Sequence, residues 1–119
     1  MPQTRLLFFQ DAGGAAPVWE WLKDLRTRNP KAYAKCVVRI RRLVELGHDL
    51  RRPEADLLRD GIYELRARLG TVNYRILYFF HGRNVAVLAH AITRKMRYRP
   101  LRSTGQWSVS EHLDRKSVV

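Results

Sequence analysis

The chain has 119 residues, of which 45% are hydrophobic, and its 23 Lys and Arg against 11 Asp and Glu give a formal net charge of +12. This length fits one domain around a single core, and no apolar run approaches the roughly 20 residues of a membrane-spanning helix. The only cysteine, Cys36, excludes an intrachain disulfide. Because no secretory signal pattern is visible at the N-terminus, we expect a cytoplasmic protein. The charge predicts a polyanionic or strongly acidic partner.

The first half of the sequence predicts one strand and two helices. The segment "TRLLFF" (4–9) is typical of a short strand, and a loop containing two glycines follows it. Apolar residues at helical spacing predict a first helix that begins at Pro17. A second amphipathic helix is predicted to begin after Asn29, whose side chain suits an N-cap, and to end at Gly47.

After the helices, the hydrophobic pattern changes to a period of two. The polar segment 48–61 predicts a connection with a helical turn. In the next segment, 63–69, apolar residues alternate with Glu64, Arg66 and Arg68. A strand here would place these three charged side chains on one face of a sheet.

Two further strands complete the predicted sheet. The segment 73–80 is almost continuously apolar, which is typical of a central strand, and only Arg75 interrupts it. A turn then leads into a third strand, "VAVLAHAI" (85–92). Two helices followed by a meander of strands over 62–92 predict an α+β fold, with the helices packed on one face of a small antiparallel sheet.

The segment "LRDGIYELRARLGTVNYRILYFFHGRNVAVLAHAITRK" (58–95) resembles the RelE/HigB family of bacterial type II toxin–antitoxin systems, particularly its phage-derived branch. The resemblance is carried by G-x-Y-E-L-R, then Y-R-I-L-Y-F, then H-A-x-T-R-K, in the family's order and spacing. It implies a RelE-like toxin domain over 1–95. Residues 96–119 depart from the family's usual ending, in which a short helix follows a proline, so we expect them to form an atypical tail of the same domain.

The resemblance also implies a function and partners. Family members cleave messenger RNA, usually on the ribosome, and thereby inhibit translation without a metal or another cofactor. They are silenced by a cognate antitoxin, so we expect a small helix-turn-helix protein encoded by the adjacent gene. The four histidines show no spacing typical of a metal site, and no Gly-rich phosphate loop is present.

The resemblance further implies which residues act on RNA. The family's basic residues correspond to Arg66, Arg68 and Arg75 on the strands and to Lys95 or Arg94 just after them. The better-known members have a lysine where this chain has Glu64. A family tyrosine near the end has Tyr98 as its nearest counterpart.

Metal-free RNA cleavage requires a base for the 2′-hydroxyl, stabilisation of the charged phosphorane and an acid for the leaving 5′-oxygen. Arginine suits the stabilising role because its planar fork stays charged and matches two phosphate oxygens. We therefore expect Arg66 and Arg75 to stabilise the phosphorane, with Arg68 and Lys95 next in order. Crowded positive charges would lower the pKa of Lys95 and help it exchange protons.

Glu64 and His90 are the conventional candidates for acid and base. Each also has a structural alternative: Glu64 pairs with Arg66 or Arg68, or His90 packs as a histidine beside Leu88. The sequence leaves both alternatives open.

Further RNA contacts are predicted outside the strand arginines. The candidates are Arg94, Arg97 and Tyr98 after the last strand, and Arg39 and Arg42 on the polar face of the second helix. The alternative for the helix arginines is a solvated face whose long side chains cover apolar surface.

Two other functions stay open at this stage. A ParE-like toxin has the same scaffold but inhibits DNA gyrase by binding it, and it needs no RNA-cleaving site. An inactive RNA-binding remnant is the third alternative. The strand arginines favour the ribonuclease without excluding the gyrase inhibitor, because that surface also has to meet an acidic partner.

Overall fold

The computed structural model describes residues 3–100 and 107–113, with side chains described for 3–95. Its strands are β1 (Arg5–Phe8), β2 (Ala55–Arg59), β3 (Ile62–Leu69), β4 (Val72–His81), β5 (Val85–Pro100) and β6 (Trp107–Leu113). Its helices are α1 (Pro17–Arg28) and α2 (Pro30–Leu46), and a 3-10 turn follows over Gly47–Asp49. None of the helices in these ranges is both long and apolar enough to cross a membrane.

Both predicted helices are confirmed, together with the start of α1 at Pro17 and both ends of α2. Helix α2 begins where predicted because the Asn29 side chain accepts a hydrogen bond from the backbone N–H of Ala32, at 3.2 Å. It ends at Gly47, whose φ of +54° lies in the region that favours glycine. A Cβ at Gly47 would clash with the Thr4 hydroxyl. The backbone N–H of Thr4 also donates to the carbonyl of Val44, so the start of the chain is tied to the end of α2.

The predicted α+β fold, with two helices packed on one face of a small sheet, is confirmed, and the sheet is mixed rather than wholly antiparallel. The strands follow the order β1-β5-β4-β3-β2, and β6 pairs with β5. The meander β3-β4-β5 is antiparallel as predicted, but β1 lies parallel to β5. A parallel pair needs a long crossover connection. Between β1 and β5 that connection includes both helices and strands β2 to β4, and β1 joins the sheet at the opposite end of the strand order from β2.

Two segments differ from the sequence prediction. The connection predicted over 48–61 contains the expected helical turn but also strand β2, which pairs with β3. Strand β2 forms through this tertiary pairing rather than through a local alternating pattern. The last strand of the meander, predicted to end at 92, continues to Pro100 and pairs with β6. The role of 96–119 as an atypical tail stays a prediction.

The helices cover one face of the sheet and leave the other uncovered by them. One buried cluster joins α1, α2 and alternate strand residues; its members include Val18, Leu22, Leu43, Leu65, Tyr78 and Leu88. Cys36 belongs to this cluster, and burial raises the pKa of its thiol to about 12, so the thiol stays protonated and unreactive at neutral pH.

A β-bulge interrupts the pairing of β4 with β5. Tyr78 lies opposite Leu88, and its neighbour Leu77 lies opposite His90, so Ala89 has no partner across the ladder. Leu88 and Ala91 are both buried on the helix-covered face. His90, between Ala89 and Ala91, therefore lies on the face that the helices leave uncovered.

Candidate functional site

Four arginines lie on the sheet face that the helices leave uncovered, hereafter the arginine face. Arg66 on β3 lies directly opposite Arg75 on β4. Arg68 lies opposite Asn73, which in turn lies opposite Arg94 on β5. Because directly opposite residues of antiparallel strands share a face, three strands bring Arg66, Arg68, Arg75 and Arg94 together. The sequence placed Arg66 and Arg68 on one face, and the strand register adds the other two.

Glu64 lies between two of these arginines. Its side chain is only 5% exposed, and its Oε1 lies 2.7 Å from Arg66 Nε. Its Oε2 lies 3.7 Å from Arg75 Nη1. One buried carboxylate thus contacts both members of the opposed arginine pair. The sequence alternative, in which Glu64 pairs with an arginine of its own strand, holds for Arg66, but the contact with Arg75 was not predicted.

A second carboxylate, Asp56 on β2, contacts one of these two arginines, Arg66. Asp56 lies opposite Glu64, and its Oδ2 lies 3.4 Å from Arg66 Nη2 and 2.9 Å from Arg52 Nη2. The hydrogen bond from Arg52 lowers the pKa of Asp56, which keeps this carboxylate ionised at neutral pH. Sequence analysis missed Asp56 because strand β2 itself was not predicted.

The arginines of the face differ in exposure. The side chain of Arg66 is 40% exposed and that of Arg75 is 17% exposed, so both are partly shielded from solvent. Arg68 is exposed, and its Nε donates a hydrogen bond to the Gly70 carbonyl at 2.9 Å. Arg94 is half-buried. This gradation gives the face two partly shielded cations with a more accessible one beside them.

Lys95 and His90 do not join the arginine cluster directly. Lys95 lies opposite Val72, on the same side of the strands as the buried Tyr74, so it projects from the other face. His90 shares the arginine face with Glu64, but the strand carrying Leu77 lies between them. Two strand spacings separate the backbones of Glu64 and His90 by about 10 Å.

The remaining RNA-binding candidates lie elsewhere. The side chains of Arg97 and Tyr98 lie outside the described residues. Arg39 and Arg42 on α2 both contact the Glu54 carboxylate, at 2.8 Å and 3.2 Å. These two arginines therefore form an ion-pair cluster with Glu54 at the edge of the sheet.

This cluster also supports the backbone of Arg66. Arg39 Nε donates to the Arg66 carbonyl at 2.9 Å, and the Arg66 N–H donates to the Glu54 carbonyl at 2.8 Å. The backbone N–H and the carbonyl of Arg66 are thus both hydrogen-bonded at the first residue of β3 after its pairing with β2 ends. The sequence signal for this contact, an arginine on the polar side of α2, was too general to indicate its partner.

The chemical capacity of the face follows from these contacts. Two guanidinium groups are held side by side by one carboxylate, and each offers N–H donors in a geometry that matches phosphate oxygens. Among the residues whose side chains are described, no three His, Cys, Asp or Glu side chains gather in a way that would hold a metal ion. The face is suited to binding a phosphodiester and to stabilising added negative charge on it.

Comparison with known proteins agrees with this architecture. The model of the family described as phage-derived protein Gp49-like (DUF891) matches residues 21–103, which include most of α1, all of α2 and the strands of the arginine face. Neither curated proteins nor solved structures gave a match. The matched segment is well over half of the chain, and the chain therefore belongs to the phage-derived Gp49-like family, whose members are in general RelE/HigB-like toxins.

Proposed function

We propose that the chain is the toxin of a type II toxin–antitoxin system and acts as a metal-independent endoribonuclease on messenger RNA at the ribosome. The observation that carries this proposal is the opposed pair Arg66 and Arg75, which shares the Glu64 carboxylate on the arginine face. A buried carboxylate between two cations orients them without neutralising both. The two guanidinium groups are therefore held beside each other, in an arrangement whose N–H donors match the oxygens of a phosphodiester.

In this reaction the RNA supplies its own nucleophile. The 2′-oxygen forms a bond to phosphorus while the bond from phosphorus to the 5′-oxygen breaks, which leaves a 2′,3′-cyclic phosphate and a 5′-hydroxyl. Arg66 and Arg75 stabilise the extra negative charge of the phosphorane, a role in which one preorganised donor is worth about 3 kcal/mol. A base accepts the 2′-proton and an acid protonates the 5′-oxygen. His90 lies on the arginine face, and histidine is an ordinary group for such transfers.

We expect induced expression to fragment cellular messages and stop translation, since the proposed target is messenger RNA. Message integrity, protein synthesis and DNA damage would be followed together after induction, with an Arg75→Ala variant as the matched control. New message ends bearing a 5′-hydroxyl support the proposal. Intact messages accompanied by DNA damage would instead assign the chain to the gyrase-inhibiting, ParE-like class.

A cognate antitoxin is the partner that this proposal requires. The four arginines of the face favour an acidic segment, because charge complementarity speeds association and the same contact covers the proposed active groups. We propose that a small helix-turn-helix protein encoded by the adjacent gene supplies that segment. The two products should co-purify from a joint expression and growth should recover; failure of both would remove the antitoxin while leaving the ribonuclease proposal in place.

A further inference from the structure

We propose that Glu64 is a positioning residue: its buried carboxylate is the internal counter-ion that fixes the relative orientation of Arg66 and Arg75. This inference rests on the proposed ribonuclease activity and deepens it. It replaces the candidate role of Glu64 as an acid or base with a role exerted through the two arginines.

The strand register creates the need for such a counter-ion. Arg66 and Arg75 lie directly opposite each other, and like charges in that relation destabilise a pair of antiparallel strands. Glu64 contacts both groups, with its Oε1 at 2.7 Å from Arg66 and its Oε2 at 3.7 Å from Arg75. Because a buried carboxylate is costly without cationic partners, the three side chains constrain one another.

Contacts other than those of Glu64 hold Arg66 and its strand in place, so Glu64 is not needed for general support of the fold. Arg66 keeps a second carboxylate partner in Asp56, and its backbone is held by Glu54 and Arg39. Loss of the Glu64 charge therefore leaves β3 anchored. What it removes is the carboxylate that links Arg66 to Arg75.

Loss of the Glu64 charge should therefore affect the rate of cleavage and the affinity for RNA differently. Stabilising a phosphorane depends on donor placement, and a displacement of about 1 Å can cost on the order of 100-fold in rate. Attraction to an RNA backbone depends mainly on charge, and removing a carboxylate makes the arginine face more positive. Without its internal counter-ion the site should bind RNA at least as well while cleaving it more slowly.

The test compares Glu64→Gln and Glu64→Asp with Asp24→Asn in the full-length protein. Asp24 pairs with Arg28 on the exposed side of α1, at 3.2 Å, so its substitution removes the same charge away from the face. For each variant, kcat and KM would be measured on a short RNA. We would also measure the melting temperature and the affinity for the same RNA carrying a 2′-deoxy nucleotide at the cleavage position, which prevents cleavage.

We expect Glu64→Gln to lower kcat by on the order of 100-fold while KM and the affinity for the deoxy RNA stay equal or improve. Glu64→Asp keeps the charge but shortens the side chain, so it should lower kcat less and leave affinity at the level of the parent protein. Asp24→Asn should retain the parent kcat. If Glu64→Gln fails to fold, the kcat and affinity of Glu64→Asp decide the question.

Three results would overturn the inference. Unchanged kcat in Glu64→Gln would show that the arginines do not need this carboxylate. A parallel loss of kcat, deoxy-RNA affinity and melting temperature would assign Glu64 a purely structural role. Loss of the acid limb of the pH–rate profile in Glu64→Gln would make Glu64 the proton acceptor. Failure of the unaltered protein to cleave RNA is a distinct result, because it removes the proposed function itself.

Discussion

Replacement of Arg75 by alanine is expected to reduce RNA cleavage by about 100- to 1,000-fold, the loss typical of removing one preorganised donor to a developing negative charge. Arg75 lies on a central strand, opposite Arg66, with a side chain that is 17% exposed. Glu64 keeps its 2.7 Å contact with Arg66 when Arg75 is truncated, so its carboxylate does not become an isolated buried charge. We therefore expect the fold to persist while cleavage and growth inhibition are lost.

The control for this prediction separates charge from geometry. Arg75→Lys keeps a positive charge but loses the planar fork that matches two phosphate oxygens, so its activity should fall between those of the parent and the alanine variant. Circular dichroism and thermal unfolding would accompany the cleavage assay. Collapse of the folded state in Arg75→Ala would make Arg75 a structural residue and remove it from the catalytic proposal.

Affinity for RNA should fall steeply as salt rises. For single strands, the logarithm of the binding constant falls by about 0.7 per phosphate contact for each unit of log salt. If all four arginines of the face meet phosphates, raising salt from about 50 to 200 mM should weaken binding about 50-fold. Binding of the uncleavable 2′-deoxy RNA at several salt concentrations would give this slope directly.

The salt dependence of RNA binding, measured on variants of exposed arginines, shows which surface contacts the RNA. Arg68→Ala, on the arginine face, should reduce the slope by about 0.7. Arg28→Ala, on α1 with a side chain that is 78% exposed, should leave the slope unchanged because α1 packs on the other face of the sheet. Equal slopes in both variants would contradict the assignment of RNA to the arginine face.

The sequence predicted most of the fold because local signals and tertiary structure agree there. Pro17, Asn29 and Gly47 mark helix ends through their own backbone preferences, and the alternation in β3 comes from one buried face. Strand β2 and the parallel pairing of β1 depend on contacts between distant segments. Neither leaves a periodic pattern in the sequence, and both were missed for that reason.

For the candidate site, the sequence predicted which side chains of one strand share a face, but not which residues of neighbouring strands lie opposite each other. The common face of Arg66 and Arg68 follows from a period of two, which the sequence displays. The contact between Glu64 and Arg75 depends on the register of β3 against β4, which the sequence does not display. The family resemblance grouped Lys95 with the strand arginines, but the register places it on the opposite face of the sheet.

The β-bulge at Ala89 determines where strand β5 tolerates a change in length. Because Ala89 lies between two partnered residues and faces no partner itself, its deletion would let Leu88 and His90 continue as neighbours in a regular ladder. The inward and outward alternation would be kept on both sides of the deletion. By contrast, deletion of a single residue in the segment 91–94 would turn the residues that follow it in β5 to the opposite face of the sheet. In evolutionary terms, Ala89 is the position at which insertions and deletions among relatives should concentrate, with the arginine face left intact.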